Sequence, residues 1–296
     1  MTEQPSFRRL APGQRARVRV WRRDERSVRT VHESTDRLYE APNWTPDGRL
    51  LVNGDGQLWT LPADGSGAPT VVEAAGLPDV NNDHVLSPGG DEVYASANDW
   101  HIWRVPLAGG AAERITPDDG AMHFLHGVRP DGARLAYVQL RPEGENWWAS
   151  ATIRTIAVDG TDDRAVTTHP GPADGSEWTP DGRWILFNTE QFSPGHAQLA
   201  RIGEDGSGLE QLTFDERVNW FPHPAPTGEL TVYLSYPTRT TGHPADLPVE
   251  LRLVTDDDWA APETIVELFG GQGTINVPSW SPDGSAFAFV DYPVVD

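Results

Sequence analysis

Six short runs along the chain alternate apolar with polar or small residues: LLVNG, EVYAS, RLAYV, WILFN, LTVYL and AFAFV. Alternation with a period of two marks a half-buried strand. Each run follows a turn tetrapeptide: TPDG at 45–48, SPGG at 87–90, RPDG at 129–132, TPDG at 179–182, APTG at 225–228 and SPDG at 281–284. Proline presets φ at the second turn position, Asp caps nearby backbone N–H groups, and Gly closes the turn. Before three of these turns stands a Trp (Trp44, Trp178, Trp280) that ends a further extended stretch.

The turn prolines fall at 46, 88, 130, 180, 226 and 282. After each alternating run comes another strand, such as QLWTLPADG or HIWRVPLAGG, and then a short one, such as ERIT or EQLT. Four strands in ~45 residues is the period of a propeller blade. The pattern predicts an all-β fold, a six-bladed β-propeller formed by residues 1–296 as a single domain. Blades are expected at 38–73, 80–116, 121–168, 173–213 and 219–268. The last blade is expected to draw its inner strands from 273–292 and its outer strands from 15–33, a two-plus-two closure that removes the exposed sheet edge.

Composition narrows the chemistry. Of 296 residues, 55 are Gly or Pro and 12 are Trp, as expected for short strands joined by many turns. There is no Cys, so disulfides and thiolate catalysis are excluded. All 23 basic residues are Arg; without Lys there is no Schiff base and no P-loop lysine. The net charge of −21 argues against nucleic acid and anionic membrane as partners. Nine Arg crowd into residues 1–29. They form either an arm for a protein partner or the solvated face of two strands. The start carries no apolar leader and no apolar stretch is long enough to span a bilayer, so a cytoplasmic protein is expected, and a closed ring with an acidic surface is expected to be a monomer.

The tandem x-P-D-G blades with Trp before the turn resemble the TolB-type propeller repeat over essentially the whole chain. Segments such as NNDHVLSP, EQLTFDERVNWFPHPAP and GGQGTINVPSWSPDG resemble a TolB-like bacterial branch. TolB itself is periplasmic, carries a separate N-terminal domain and binds cell-envelope partners. A more distant similarity is to oligogalacturonate lyase, a propeller enzyme whose central channel holds a metal on His residues. That likeness implies a lyase acting by β-elimination, ahead of hydrolysis. The alternative it leaves open is a propeller that binds a protein or small ligand without chemistry.

Candidate chemistry follows from blade symmetry. Four residues before the turn proline stand His84 and His126; three before it stand Glu177 and His223. If the innermost strands keep one register, these four converge in the channel. Three imidazoles and a carboxylate suit a divalent metal, Zn, Mn, Fe or Ni. They equally suit polar residues that bond water and backbone. Nearby Asn82, Asp174, Asn219 and Asn276, with Arg141, Trp147, Trp148 and Arg239 on the long loops 141–149 and 236–248, are expected to bind a sugar or similar polyhydroxylated molecule. His123, His196 and His243 are the expected bases.

Overall fold

The computed structural model describes residues 7–295. Six antiparallel sheets surround a central channel. Blade 1 orders Tyr39–Trp44, Arg49–Gly54, Gln57–Pro62 and Thr70–Val71 from the channel outward. Blade 2 repeats this with Val80–Leu86, Glu92–Ala97, Ile102–Pro106 and Glu113–Arg114. In blade 3 the inner strand is Met122–Val128, in blade 4 Ala173–Trp178 and in blade 5 Val218–Pro224.

Blade 6 joins the two ends of the chain. Ala286–Asp291 pairs with Ala16–Arg22, which pairs in turn with Ser27–Ser34. Its innermost position is not a regular strand. Residues 271–280 reach the sheet there through an isolated bridge, Trp280 to Phe287, and through the Ser279 and Thr274 carbonyls, which accept from the Ala288 and Val290 N–H groups (3.0 Å each). Trp21 stacks on Phe287 at 5.2 Å, and Trp280 meets both rings edge-on. Burying aromatics of this size gives closure a strong apolar contribution.

Most of the N-terminal arginines form ion pairs within the chain. Arg17 and Arg19 hold the buried carboxylate of Asp291 at 2.7 and 2.9 Å. Arg15 pairs with Glu33, Arg23 with Glu229 and Arg26 with Glu263. The last two link blade 6 to blade 5.

The repeated turn works as its residues dictate. At 45–48 the Thr45 hydroxyl donates to Asp47 Oδ1 (2.5 Å) and accepts from the Arg49 N–H (2.9 Å). The fourth-position glycines of all six turns have φ between 68° and 80°, a left-handed conformation that costs other residues about 1 kcal/mol. All six turn prolines, with Trp44, Trp178 and Trp280, line one cavity of about 500 Å³ at one mouth of the channel.

Candidate functional site

A bulge interrupts each of the five regular inner strands, and its position decides what reaches the channel. In blade 1, Ala41 and Pro42 oppose a single residue; in blade 4, Gly175 and Ser176 do so; in blade 5, Phe221 and Pro222. Blade 2 bulges earlier, over Asn81–Asp83, so that His84 is back in the ladder opposite Ala95. Blade 3 bulges at His126 itself, between the pairs Leu125–Tyr137 and Gly127–Ala136. An inserted residue redirects the side chains around it. His84 and His126 hold equal places in the repeat but unequal places in the sheet.

The four expected metal ligands are therefore not gathered. His84 is fully buried between the amide oxygens of Asn43 (2.8 Å) and Asn53 (3.3 Å), and burial lowers its pKa to about 3. His223 Nε2 donates to the Ile275 carbonyl (2.6 Å), and its Nδ1 lies 2.5 Å from Glu177 Oε2. Burial raises the Glu177 pKa, with His223 opposing. His126 Nδ1 donates to the Asn276 carbonyl (3.3 Å) and Nε2 lies 2.7 Å from Asp174 Oδ1. Burial alone would keep this ring neutral. The carboxylates of Asp174 and Asp83 overcome it and push the pKa up to about 9, while that of Asp174 falls despite its own burial.

His126 and Asp174 open onto a second cavity, of about 300 Å³, at the mouth formed by the starts of the inner strands. Asn82, Asp83, Trp148, His243, Gln272 and Asn276 also line it, as do Phe124 and Phe221. Six of the expected site residues thus meet here: Asn82, His126, Trp148, Asp174, His243 and Asn276.

Gln272 organises this end. Its Nε2 donates to Asn82 Oδ1 (3.2 Å), and its Oε1 accepts from Asn276 Nδ2 (3.1 Å) and from His243 Nδ1. The amide orientation is fixed by those two neighbours, so the His243 proton sits on Nδ1. The Nε2 lone pair is left free, with Asp174 Oδ2 3.7 Å away, beyond hydrogen-bond range. Burial, against the pull of Asp174, lowers the His243 pKa and keeps the ring neutral. Trp220 and Phe221 pack on the ring at 4.3 and 5.4 Å.

Other expected site residues lie elsewhere. His123 is buried in blade 3, bonded through Nδ1 to the Trp100 carbonyl (2.8 Å) and stacked on His101. His196 Nε2 donates to the Arg217 carbonyl (3.0 Å). Asn219 is fully buried, donating to Asp215 (3.0 Å) and accepting from Ser235 (2.7 Å). Arg141 is exposed, 3.5 Å from Asp119, and Arg239 is exposed on its loop. Trp147 is also exposed and donates to Gly144 within its own loop (3.1 Å). Trp148 stacks on Trp220 at 5.8 Å while lining the cavity.

No family profile matches the chain. It is 37% identical over 284 residues to uncharacterized protein Atu1656 of Agrobacterium fabrum, covering 94% of this chain and 92% of that protein. The solved structure of a TolB-like protein from Agrobacterium tumefaciens is 35% identical, with a TM-score of 0.87 over 95% of this chain and 99% of that one. The chain belongs to the TolB-like propeller family. TolB of Acinetobacter baumannii (15% identity, TM-score 0.57, 86% of this chain and 63% of that one) shares the fold. So does oligogalacturonate lyase in complex with manganese (14%, 0.56, 77% and 65%).

For this TolB-like chain the fit to a channel metal is poor. A metal takes imidazole through a nitrogen lone pair. Both nitrogens of His126 and of His223 face oxygen acceptors, and those of His84 lie against two amides. Among the described residues, no group of three or more His, Asp or Glu is arranged to hold an ion. Among those residues, too, no helix is long and apolar enough to cross a membrane.

Proposed function

We propose that this TolB-like propeller binds a small polyhydroxylated molecule in the cavity of His243 and Asp174 and acts on it by proton transfer, with β-elimination as the reaction. One observation carries the reading. A half-buried, neutral imidazole has its tautomer fixed at Nδ1 by Gln272 and its Nε2 lone pair free, with the Asp174 carboxylate 3.7 Å from that same nitrogen. That is the arrangement of a general base oriented by an amide, with an anion beside it to stabilise the imidazolium.

Nε2 of His243 takes a proton from a carbon next to a carbonyl, and the imidazolium that forms is stabilised by Asp174. The electron pair left on carbon forms the double bond as the neighbouring C–O bond breaks. His243 then returns its proton to the departing oxygen. The His126 imidazolium supplies fixed positive charge beside the cavity, where negative charge develops. Trp148 and Phe124 offer apolar surface to a ring's C–H face, and the Asn82 amide offers a donor to hydroxyls. The distant likeness to oligogalacturonate lyase favours elimination over hydrolysis. The manganese of that enzyme finds no counterpart in the donors described above, so the proposed step runs on side chains alone. Action as a cytoplasmic monomer belongs to the same proposal, to be checked by fractionation and light scattering.

The test is a panel of keto-sugars and oligosaccharides, screened first by thermal shift and then by ultraviolet absorbance of a new conjugated double bond. Turnover that persists with chelator and falls at least 100-fold in His243→Gln supports the reading. Binding without turnover on every compound leaves a binding propeller. Turnover unchanged in His243→Gln overturns the assignment.

A further inference from the structure

Five acids are buried among the described residues: Glu40, Asp83, Asp174, Glu177 and Asp291. Four have a basic side chain within ion-pair range. Glu40 has Arg8, Asp174 has His126, Glu177 has His223, and Asp291 has Arg17 and Arg19. Asp83 has none, although it is only 5% exposed and lines the His243 cavity. Its backbone N–H is satisfied by Asn81 Oδ1 (2.9 Å), and no basic side chain stands within ion-pair range of its carboxylate; the His126 imidazolium acts on it from beyond that range. A buried carboxylate with no counter-charge in contact is costly. Here burial raises the Asp83 pKa to about 7, with Asp174 and Glu40 adding to the effect and His126 opposing it.

The rest of the cavity has the same sign. Two carboxylates, Asp83 and Asp174, face one imidazolium, His126. The chain has no Lys, and no Arg lines this cavity. Arg141 and Arg239, the arginines expected to contact the substrate, stand outside it. A uronate would therefore meet uncompensated negative charge. The apolar wall is aromatic: Trp148, Phe124 and Phe221. Aromatic faces attract organic cations, whereas a hard metal ion takes six or more oxygen ligands that these rings do not provide.

We propose that the ligand of this cavity carries a cationic amine, received by the Asp83 carboxylate and flanked by Trp148, Phe124 and Phe221, as in an amino sugar or another aminated polyol. The proposal rests on the reading of this cavity as the substrate site, and it adds the charge of the substrate. Asp83, which takes no part in the proton transfer, becomes the residue that selects it.

The experiment is calorimetric binding of three matched probes, glucosamine, glucose and glucuronate, to the full-length protein, with manganese chloride as a fourth. Glucosamine is expected to bind at least 10-fold more tightly than glucose, and glucuronate more weakly than either. Asp83→Asn, which keeps the side-chain shape, should erase the preference for glucosamine while glucose binding stays within about threefold. Trp148→Ala should weaken all three sugars. The variants' melting curves report whether they fold, and binding of glucose alone confirms an intact cavity. Equal affinity for the three sugars, tighter binding of glucuronate, or a glucosamine preference that survives in Asp83→Asn would overturn the charge assignment and leave the cavity as the site. Manganese binding that depends on Asp83 and excludes glucosamine would overturn it in favour of a metal. Failure of every probe, with Trp148→Ala indistinguishable from the parent, would overturn both the inference and the site.

Discussion

His243 and Gln272 meet through a single hydrogen bond, from the ring Nδ1 to the amide Oε1, and that bond decides which ring nitrogen is left as a base. Gln272 is held in turn by Asn82 and Asn276, so residues from blade 2 and from the irregular inner segment of blade 6 fix a tautomer in blade 5.

Replacing that amide by a carboxylate changes the ring's charge preference. In Gln272→Glu a negative group faces Nδ1, which favours the imidazolium. Nuclear magnetic resonance titration of the parent should place His243 below the ordinary histidine range, because burial lowers it. In the variant the titration should move up by about one unit or more. A ring that titrates identically in both proteins would show that Gln272 does not govern it.

The His126–Asp174 pair predicts a pH window for stability. The folded state raises the His126 pKa from 6.5 to about 9, so the proton is held more tightly in the folded chain. Its stabilisation is complete below 6.5 and is lost as pH climbs through about 9. Asp174 has the opposite sign: its lowered pKa gives stability that is present above the usual carboxylate range and lost on acidification. Urea denaturation should show a decline on the alkaline side, on the order of 1–3 kcal/mol between neutral pH and about 10. In Asp174→Asn the decline should flatten, because the carboxylate that raises the His126 pKa is gone. A parent whose unfolding midpoint holds constant over that range would contradict the ion pair.

The propeller was legible because its signal is local. A Pro–Asp–Gly turn and an alternating strand are written into adjacent residues, and they recur at 46, 88, 130, 180, 226 and 282. The convergence of side chains was not, because it depends on where each inner strand bulges. His84 and His126 share a repeat position, yet one lies in the ladder and the other is the extra residue. Turn residues do not announce that difference. Positive φ does mark it at Ala41, Gly175 and Phe221, but only Gly175 carries a residue type that suggests it. Gln272 was missed for a related reason. It sits in a segment without alternation, GGQG, where strand periodicity gives no register.

Gly127 offers a test of that bulge at the level of packing. It follows His126 directly, and an added Cβ would lie 2.7 Å from the Ser176 carbonyl oxygen and 3.1 Å from Glu177 Cα. Both are backbone atoms of blade 4, which cannot swing aside as a side chain can. Gly127→Ala should therefore wedge blades 3 and 4 apart, at about 1–3 kcal/mol. Gly132→Ala is the control. Its φ of 74° makes any side chain strained, but the space is open except for the Pro88 ring at 3.6 Å or beyond. That change should cost about 1 kcal/mol. The two also differ at a distance. Gly127→Ala displaces His126 from Asp174, so the alkaline titration of His126 should fall towards the ordinary histidine range, whereas Gly132→Ala should leave it in place. Equal effects of the two substitutions on both melting temperature and titration would mean that the inner strands of blades 3 and 4 are not held in the close approach that lets His126 reach Asp174.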